Sequence, residues 1–160
     1  LIELLFATDN TGKNMYWAIQ NYQKDRRLTP VPWDLDGTFG RNYSGTLKAN
    51  HATENYRTYL KNATHQNTLF ERLYQLNPND WNAQIAQRYL KLRKSHFNIQ
   101  QLAKRFESNL QLMEQSGAHI REAQRWSDVN GIHINIPNEV LYIQQWLKQR
   151  LNFLDSQYQR

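Results

Sequence analysis

The sequence predicts a mainly helical domain with a small β-hairpin near its N-terminus, which is an α+β arrangement. Apolar residues recur at helical spacing over residues 67–160, whereas residues 1–66 hold four of the six glycines and contain short apolar runs broken by polar turns. The chain has 160 residues, of which 12% are aromatic, so it can bury a hydrophobic core. We therefore expect a single domain over residues 1–160, with subdivisions at 1–47, 48–66 and 67–160.

The N-terminal region predicts two strands joined by a polar turn. Leu1 to Ala7 is apolar and predicts the end of a buried helix, and Thr8 to Gly12 has the composition of a loop. Met15 to Ile19 and Leu28 to Trp33 then predict the strands of a hairpin, which polar residues 21–27 connect. The prolines of the second strand indicate an edge strand, because proline cannot donate a ladder hydrogen bond.

Loops are expected after the hairpin. Residues 34–46 contain glycines and predict a loop, and residues 51–66 predict a long, partly mobile loop with one helical turn from Tyr56 to Leu60. Much further along the chain, alternating isoleucines predict an extended segment at Ile132, Ile134 and Ile136.

Helix signals are clear in the second half of the chain. An Asn-Pro pair at 77–78 ends one predicted helix, which covers residues 67–76, and opens the next. Asn98 is the expected N-cap of a third helix, residues 120–126 predict a short fourth, and Pro137 opens the last. The apolar residues on one face of each longer helix are expected to lie in the core. These residues are Leu69, Phe70, Leu73 and Leu76; Trp81, Ile85, Tyr89 and Leu92; Ile99, Leu102, Ala103, Phe106, Leu110 and Met113; and Ile143, Trp146, Leu147, Leu151 and Leu154.

Composition excludes several classes of protein. The net charge of +6 comes from scattered Lys and Arg with only short clusters at 24–27 and 91–94, so no nucleic-acid-binding face is expected. No apolar run approaches the length that crosses a bilayer. The chain has no Cys, its five His show no zinc-ligand spacing, and it lacks the Gly-x-Ser-x-Gly elbow of serine hydrolases.

Polar residues suited to phosphoryl transfer flank the predicted hairpin. Asp9 lies in the loop before the first strand and Asn14 follows five residues later, while Asp34 and Asp36 come just after the second strand. Phosphoryl transfer needs a carboxylate that accepts or orients the proton of the attacking hydroxyl, and Mg²⁺ prefers carboxylate and amide oxygens. In a strand-like segment Asp34 and Asp36 would point to the same side, where their charges repel unless a cation lies between them. The pattern therefore predicts a divalent-metal site.

Each motif alone also has a simpler interpretation. Asp9 and Asn14 fit a turn residue and a capping residue, and residues 34–37 fit a turn or a simple calcium-binding loop. Their order around a hairpin is more specific. The Asp-x4-Asn spacing matches the catalytic loop of protein kinases, and the later Asp-x-Asp-Gly stands where those enzymes carry their metal-binding Asp-Phe-Gly.

These motifs resemble the signature of the CotH (spore coat protein H) kinase family. The resemblance rests on Asp9-Asn10-x-x-Lys13-Asn14-Met15-Tyr16-Trp17 and Pro32-Trp33-Asp34-Leu35-Asp36-Gly37-Thr38-Phe39-Gly40. It continues in Leu69-Phe70-Glu71-Arg72-Leu73, Asn77-Pro78, Arg88-Tyr89-x-x-Leu92-Arg93 and Trp146-Leu147-x-x-Arg150-Leu151-x-Phe153-Leu154. It implies the C-lobe of an atypical protein-kinase-like fold. Because only eight residues precede Asp9, we expect the N-lobe to be absent and the chain alone to be inactive.

The resemblance implies a kinase that uses ATP with Mg²⁺ or Mn²⁺ and phosphorylates Ser or Thr of a protein substrate. Asp9 is then the catalytic base and Asn14 a metal ligand. Asp34 and Asp36 are the metal-binding pair, with Asp34 favoured as the Asp-Phe-Gly equivalent. The family implies a spore-coat, cell-surface or secreted location.

Two further residues are candidates for nucleotide binding. Lys13 either contacts a phosphate or is an exposed loop lysine, and Trp33 either packs near the nucleotide or is a core tryptophan beside the hairpin. Two other functions also fit the sequence. One is a non-catalytic coat or surface interaction module, and the other is a calcium-stabilised structural domain that uses Asp34 and Asp36.

Overall fold

The computed structural model describes residues 1–62, 68–128 and 135–159. It is mostly helical, with one two-stranded antiparallel sheet, which confirms the predicted mainly α class with a small β-hairpin. The chain divides into two compact units, Leu1–Ile85 and Ala86–Arg160. This boundary falls inside a helix, whereas the composition of the sequence changes near residue 67. The single domain expected from the sequence stays a prediction.

Helix α1 (Ile2–Leu5) opens the first unit and lies within the predicted segment Leu1 to Ala7, but it ends two residues earlier than predicted. Phe6 has a left-handed φ of 51°, its N–H donates to the Glu3 carbonyl, and the Ala7 N–H donates to the Ile2 carbonyl. Such a reversal satisfies carbonyl groups that the helix leaves unpaired at its C-terminus. Phe6 and Ala7 are fully buried, so the loop that follows starts from a fixed point in the core.

The predicted hairpin is present. Strand β1 (Met15–Ala18) pairs with β2 (Thr29–Pro32) in antiparallel fashion, with Met15 opposite Pro32. The turn carries an isolated bridge between residues 21 and 25. Apart from Met15 and Pro32, every residue of both strands is exposed. Both strands are edges because the sheet has only two strands, which accommodates the two prolines.

The segment after the hairpin has more structure than the sequence suggested. Residues Ala49–Ala52 form a 3₁₀-helix, and helix α2 (Tyr56–Asn62) contains and extends the predicted helical turn. His51 and Tyr56 are buried. The Phe6 ring stacks on the His51 ring with centroids 4.4 Å apart. The centroid of the Phe6 ring also lies 5.3 Å from that of the Tyr56 ring. The described part of this segment therefore belongs to the core that supports α1.

Helix α3 (Thr68–Leu76) forms as predicted, but not all of its apolar face is covered. Leu69 and Leu76 are exposed, so their predicted place in the core is wrong. The helix meets the hairpin through Phe70, whose ring centroid lies 6.5 Å from that of Trp17. The hairpin is too small to cover the whole apolar stripe.

The break at Asn77-Pro78 is confirmed. A 3₁₀ turn (Pro78–Asp80) separates α3 from helix α4 (Trp81–Arg93), and Asn77 has a left-handed φ of 45°. The Asn77 Oδ1 accepts a hydrogen bond from the Asn82 N–H at 2.8 Å. This side chain therefore fixes the first turn of α4.

The second unit contains the larger part of α4 and helices α5 (Ile99–Gln115), α6 (Ala118–Arg125) and α7 (Ile136–Tyr158). The predicted Asn98 cap is confirmed, since its side chain accepts from the backbone N–H groups of residues 100 and 101. Helix α7 begins at Ile136, followed by Pro137 as predicted. The extended conformation predicted for Ile136 is therefore wrong, and the other two residues of that predicted segment, Ile132 and Ile134, lie outside the described residues.

The core of the second unit lies along α7. Four of its five predicted inward residues are buried, and these are Trp146, Leu147, Leu151 and Leu154. Arg150 is also fully buried, which the apolar pattern does not predict. Among the described residues, no helix is long and apolar enough to span a membrane.

Candidate active site

The two acidic segments predicted from the sequence lie against each other. The Thr8 N–H donates to the Gly37 carbonyl (3.2 Å), and the Phe39 N–H donates to the Leu5 carbonyl (2.9 Å). A Cβ atom added to Gly37 would lie 2.9 Å from the Thr8 Oγ1, so glycine permits this close approach. The loop that carries Asp9 is thereby joined to the segment that follows β2.

Asn10 joins the two segments at the mouth of the hairpin. Its side chain is buried, with 1% exposure, and its Nδ2 donates to the carbonyls of Asn14 (2.8 Å) and Trp33 (2.6 Å). The Trp33 N–H also donates to the Asn14 carbonyl at 2.8 Å. Asn10 is part of the sequence motif, but no role was predicted for it. The sequence alone does not reveal which carbonyls the side chain of a polar loop residue contacts.

The chain turns sharply on both sides of this contact. Asn14 has a φ of 54° and Asp34 a φ of 53°, both in the left-handed region that Asn and Asp tolerate better than most residues. Strand β2 ends at Pro32, so residues 34–36 are not strand-like. The strand-like conformation predicted for Asp34 to Asp36, in which both carboxylates would point to the same side, is therefore wrong.

Asp36 contacts its own turn. Its Oδ1 accepts a hydrogen bond from the Gly37 N–H at 2.7 Å, and its carbonyl accepts from the Thr38 N–H at 2.9 Å. Such contacts are typical of an Asp at the start of a turn. The turn fixes Asp36 relative to Gly37, which in turn contacts the loop of Asp9.

Lys13 is the cation of this site. Its Nζ lies 3.0 Å from the Asp9 Oδ2, with side-chain exposures of 54% for Lys13 and 22% for Asp9. The Asp9 carboxylate raises the pKa of Lys13 above its usual value, and the charges of Asp36 and Asp34 add smaller increases. Lys13 is therefore an exposed loop lysine that pairs with Asp9, and its predicted contact with a phosphate stays a prediction.

The donor groups suit Mg²⁺ in kind. In the described part of the chain, no group of three or more Asp, Glu or His side chains is close enough to hold a metal ion together. Mg²⁺ commonly uses one or two carboxylates and keeps several waters, so it does not need such a group. The structure places Lys13 against Asp9, and the predicted coordination of a metal ion by Asn14, Asp34 and Asp36 stays a prediction.

Trp33 lies on the surface beside these carboxylates. It is 63% exposed, and its ring centroid lies 6.5 Å from that of Tyr16, which is similarly exposed. The alternative of a core tryptophan is therefore wrong. The backbone of Trp33 pairs with Asn14 while its indole remains in contact with solvent.

A buried aromatic cluster supports the Asp9 loop, and the sequence did not predict it. The Tyr56 hydroxyl donates to the Ala7 carbonyl at 2.6 Å, two residues before Asp9. The ring centroids of Phe6 and Tyr59 lie 5.0 Å apart. Burial raises the pKa of Tyr59, and the charge of Asp9 raises it further. The base of the loop is therefore held by residues from α2.

A loop carboxylate, an amide five residues later, a hairpin and a carboxylate-glycine turn bound back to the first loop form an arrangement typical of a kinase-like protein. The model of the family described as CotH kinase protein matches residues 1–154. The chain belongs to this family. No curated protein and no solved structure gives a significant match.

Proposed function

We propose that this chain carries the catalytic groups of an atypical protein kinase, which transfers the γ-phosphoryl group of ATP to a Ser or Thr hydroxyl of a protein substrate. The observation that supports this most directly is that the loop of Asp9, which pairs with Lys13, is joined by hydrogen bonds to the segment that carries Asp34 and Asp36. Like charges are kept near one another at a surface where a cation is present to offset them. A protein that binds Mg-nucleotide needs such a site.

Asp9 is the proposed base. The substrate hydroxyl oxygen attacks the γ-phosphorus, the bond from that phosphorus to the bridging oxygen breaks, and ADP leaves with the electron pair. The proton of the hydroxyl passes to the Asp9 carboxylate. This carboxylate is only 22% exposed and its loop is anchored to the core at Ala7, so its position is well defined.

Asn14, Asp34 and Asp36 are the proposed ligands of Mg²⁺ or Mn²⁺, with Asp34 as the Asp-Phe-Gly equivalent. When bound, the ion offsets negative charge on the phosphates. The protein holds the ligand loops together before the ion arrives. The Thr8–Gly37 backbone hydrogen bond and the Asn10 side chain hold them in place. Less conformational entropy is therefore lost when the ion binds.

Lys13 and Trp33 are the proposed nucleotide contacts. The Lys13 ammonium, paired with Asp9 and more than half exposed, is free to exchange that carboxylate for a phosphate oxygen. Trp33 and Tyr16 present two exposed aromatic rings beside the carboxylates, and a planar base stacks on such rings. The family further favours a coat or cell-surface protein as phosphoacceptor.

Label transfer from ATP tests this proposal. The full-length protein is incubated with radiolabelled ATP, Mg²⁺ or Mn²⁺ and candidate acceptor proteins, and is compared with Asp9→Asn and Asp25→Asn. Asp25 pairs with Arg27 on the hairpin turn, so it is a matched carboxylate outside the proposed site. Loss of a catalytic base lowers rates by roughly 10²–10⁴-fold, and Asp25→Asn should keep the wild-type rate.

Equal label transfer by wild type and Asp9→Asn would remove the assigned base. A calcium-stabilised structural domain predicts something different. It would bind Ca²⁺ through Asp34 and Asp36 without nucleotide, and its binding would not change in Asp9→Asn.

A further inference from the structure

Asn10 completes the hairpin ladder at its open end. In a regular antiparallel pair, Asn14 and Trp33 would exchange two backbone hydrogen bonds. Here the Trp33 N–H donates to the Asn14 carbonyl, while the Trp33 carbonyl accepts from the side chain of Asn10. The second hydrogen of the same amide nitrogen bonds the Asn14 carbonyl. One side chain thus holds the last residue before β1 and the first residue after β2.

The contacts of Asn10 lie where each strand meets a sharp turn of the backbone. Asn14 and Asp34 adopt left-handed φ values of 54° and 53°, which non-glycine residues keep only when their surroundings hold them there. Asn10 contacts Asn14 itself and the residue directly before Asp34. Its burial keeps water from competing for those two carbonyls.

We infer that Asn10 is a positioning residue, which sets the spacing between Asn14 and Asp34 and thereby the affinity of the site for Mg-nucleotide. The inference rests on the proposed function, because Asn14 and Asp34 are ligands only in that proposal. Asn10 contacts no reacting group itself. It acts through the carbonyl of Asn14 and through that of Trp33, the residue directly before Asp34.

Manganese titration of matched variants tests the inference. Mn²⁺ binding in the presence of ADP is measured by calorimetry on the full-length protein, for wild type, Asn10→Ala and Asn10→Ser. The control is Asn77→Ala, which removes a partly buried hydrogen bond between a side-chain amide and the backbone in the same unit, but at the start of α4. Residues that support metal ligands typically contribute 10–100-fold to affinity. Asn10→Ala should raise the Kd of Mn²⁺ about tenfold or more, whereas Asn77→Ala should leave it within about twofold.

If Asn10 had only a structural role, the unfolding temperature would fall in both Asn10→Ala and Asn77→Ala, and the Kd of Mn²⁺ would stay unchanged in both. That result would overturn the inference. Asn10→Ser retains one short donor and covers the case in which Asn10→Ala does not fold. An unchanged Kd in Asn10→Ser would overturn the inference equally.

A second readout separates this inference from the proposed function. Amide exchange by NMR reports the Trp33 N–H directly, and its exchange should accelerate by roughly tenfold in Asn10→Ser, because the ladder end opens more easily. If wild type binds no Mn²⁺ at all, the proposed function fails. The exchange rate of Trp33 then still decides whether Asn10 holds the hairpin mouth, and an unchanged rate would refute that.

Discussion

The Nζ of Lys13 lies 3.0 Å from the Oδ2 of Asp9, and Lys13 also experiences the charges of Asp36 and Asp34. In the proposed function the metal ion binds Asp34 and Asp36, and the ammonium group of Lys13 beside Asp9 is a positive charge already present, so lysine and metal compete for the negative potential of the same site. The exposure of Lys13 leaves its side chain able to move when the metal ion binds.

Removal of this ammonium should change the affinity for metal and for nucleotide in opposite directions. In Lys13→Met, Mn²⁺ alone no longer displaces a resident cation, so its Kd should fall several-fold. The KM for ATP should rise several-fold, because a phosphate contact is lost. Calorimetry with Mn²⁺ and steady-state kinetics measure the two effects.

Lys24→Met is the control for Lys13→Met, because Lys24 lies in the hairpin turn, where its backbone bonds Asn21. It should match wild type in both measurements. A weaker affinity for Mn²⁺ in Lys13→Met than in Lys24→Met would contradict the competition between lysine and metal.

Asp34 should be required for stabilisation by metal and nucleotide. A ligand at 100 times its Kd adds about 2.7 kcal/mol to the free energy of unfolding, which for a chain of this size raises the Tm by about 5–10 °C. Wild type with Mg²⁺ and ATP should show this rise in a thermal melt, and Asp34→Ala should not. Asp25→Ala should keep the full rise, and a rise in Asp34→Ala equal to that of wild type would exclude Asp34 as a ligand.

The buried hydrogen bond from Tyr56 to Ala7 should contribute to stability. Its loss in Tyr56→Phe leaves a buried carbonyl without that donor and should lower the free energy of unfolding by about 1–2 kcal/mol. Chemical denaturation of wild type and variant measures the difference. Thr58→Val, an exposed change on the same helix, should cost much less, and equal losses would show that the buried bond contributes nothing.

Tyr56 should also make the fold sensitive to alkali. Burial raises its pKa above the ordinary value of 10.0, so the folded protein keeps the phenol neutral where the unfolded chain ionises it. Its stabilising contribution is therefore complete below pH 10 and is lost as the pH rises toward the higher folded-state pKa. The free energy of unfolding should fall above pH 10 by up to about 1.4 kcal/mol per pH unit from this group.

The comparison that isolates Tyr56 is the slope of stability against pH. Burial also raises the pKa of Tyr74 and Tyr89, so the stability of Tyr56→Phe should still fall with rising pH. The stability of wild type should fall more steeply. Identical slopes from pH 9 to 11 would contradict this role of Tyr56.

In the second unit, Asp155 links two residues of α4 to α7. Its Oδ1 accepts from the Tyr89 hydroxyl at 2.6 Å and from the Arg93 Nε at 3.0 Å. In Asp155→Ala the Tyr89 hydroxyl and the Arg93 guanidinium lose this partly buried acceptor. The free energy of unfolding should therefore fall by about 2–3 kcal/mol. Urea denaturation measures this, and Asp128→Ala, which changes an exposed acid, should cost little. A loss under about 0.5 kcal/mol would show that solvent replaces the network.

Most of the fold could be predicted from short sequence patterns. The Asn98 cap, the Asn77-Pro78 break and Pro137 each act within a few residues of themselves, so the helix starts that they predict are confirmed. The order of Asp9, Asn14, Asp34 and Asp36 around a hairpin was also visible. The hairpin returns the chain to its starting point, but the Thr8–Gly37 bond and the Asn10 contacts that join the two segments were not visible in the sequence.

What the sequence did not predict depends on contacts between distant residues. Phe6 packs on His51 and Tyr56 across more than forty residues, and no periodic pattern encodes such a meeting. Arg150 is buried although its residue type is usually on the surface. The left-handed turn at Asp34 was missed because Asp is permitted in several backbone conformations.

The most direct test of the central claim is paramagnetic line broadening by Mn²⁺ in an NMR spectrum of the backbone amides. Substoichiometric Mn²⁺ with ADP should broaden the signals of Asp9, Asn14, Asp34 and Asp36 together and first, while the hairpin turn at residues 21–25 stays sharp. Broadening that spares Asp9, or that begins at the hairpin turn, would show that these four residues do not share one cation site.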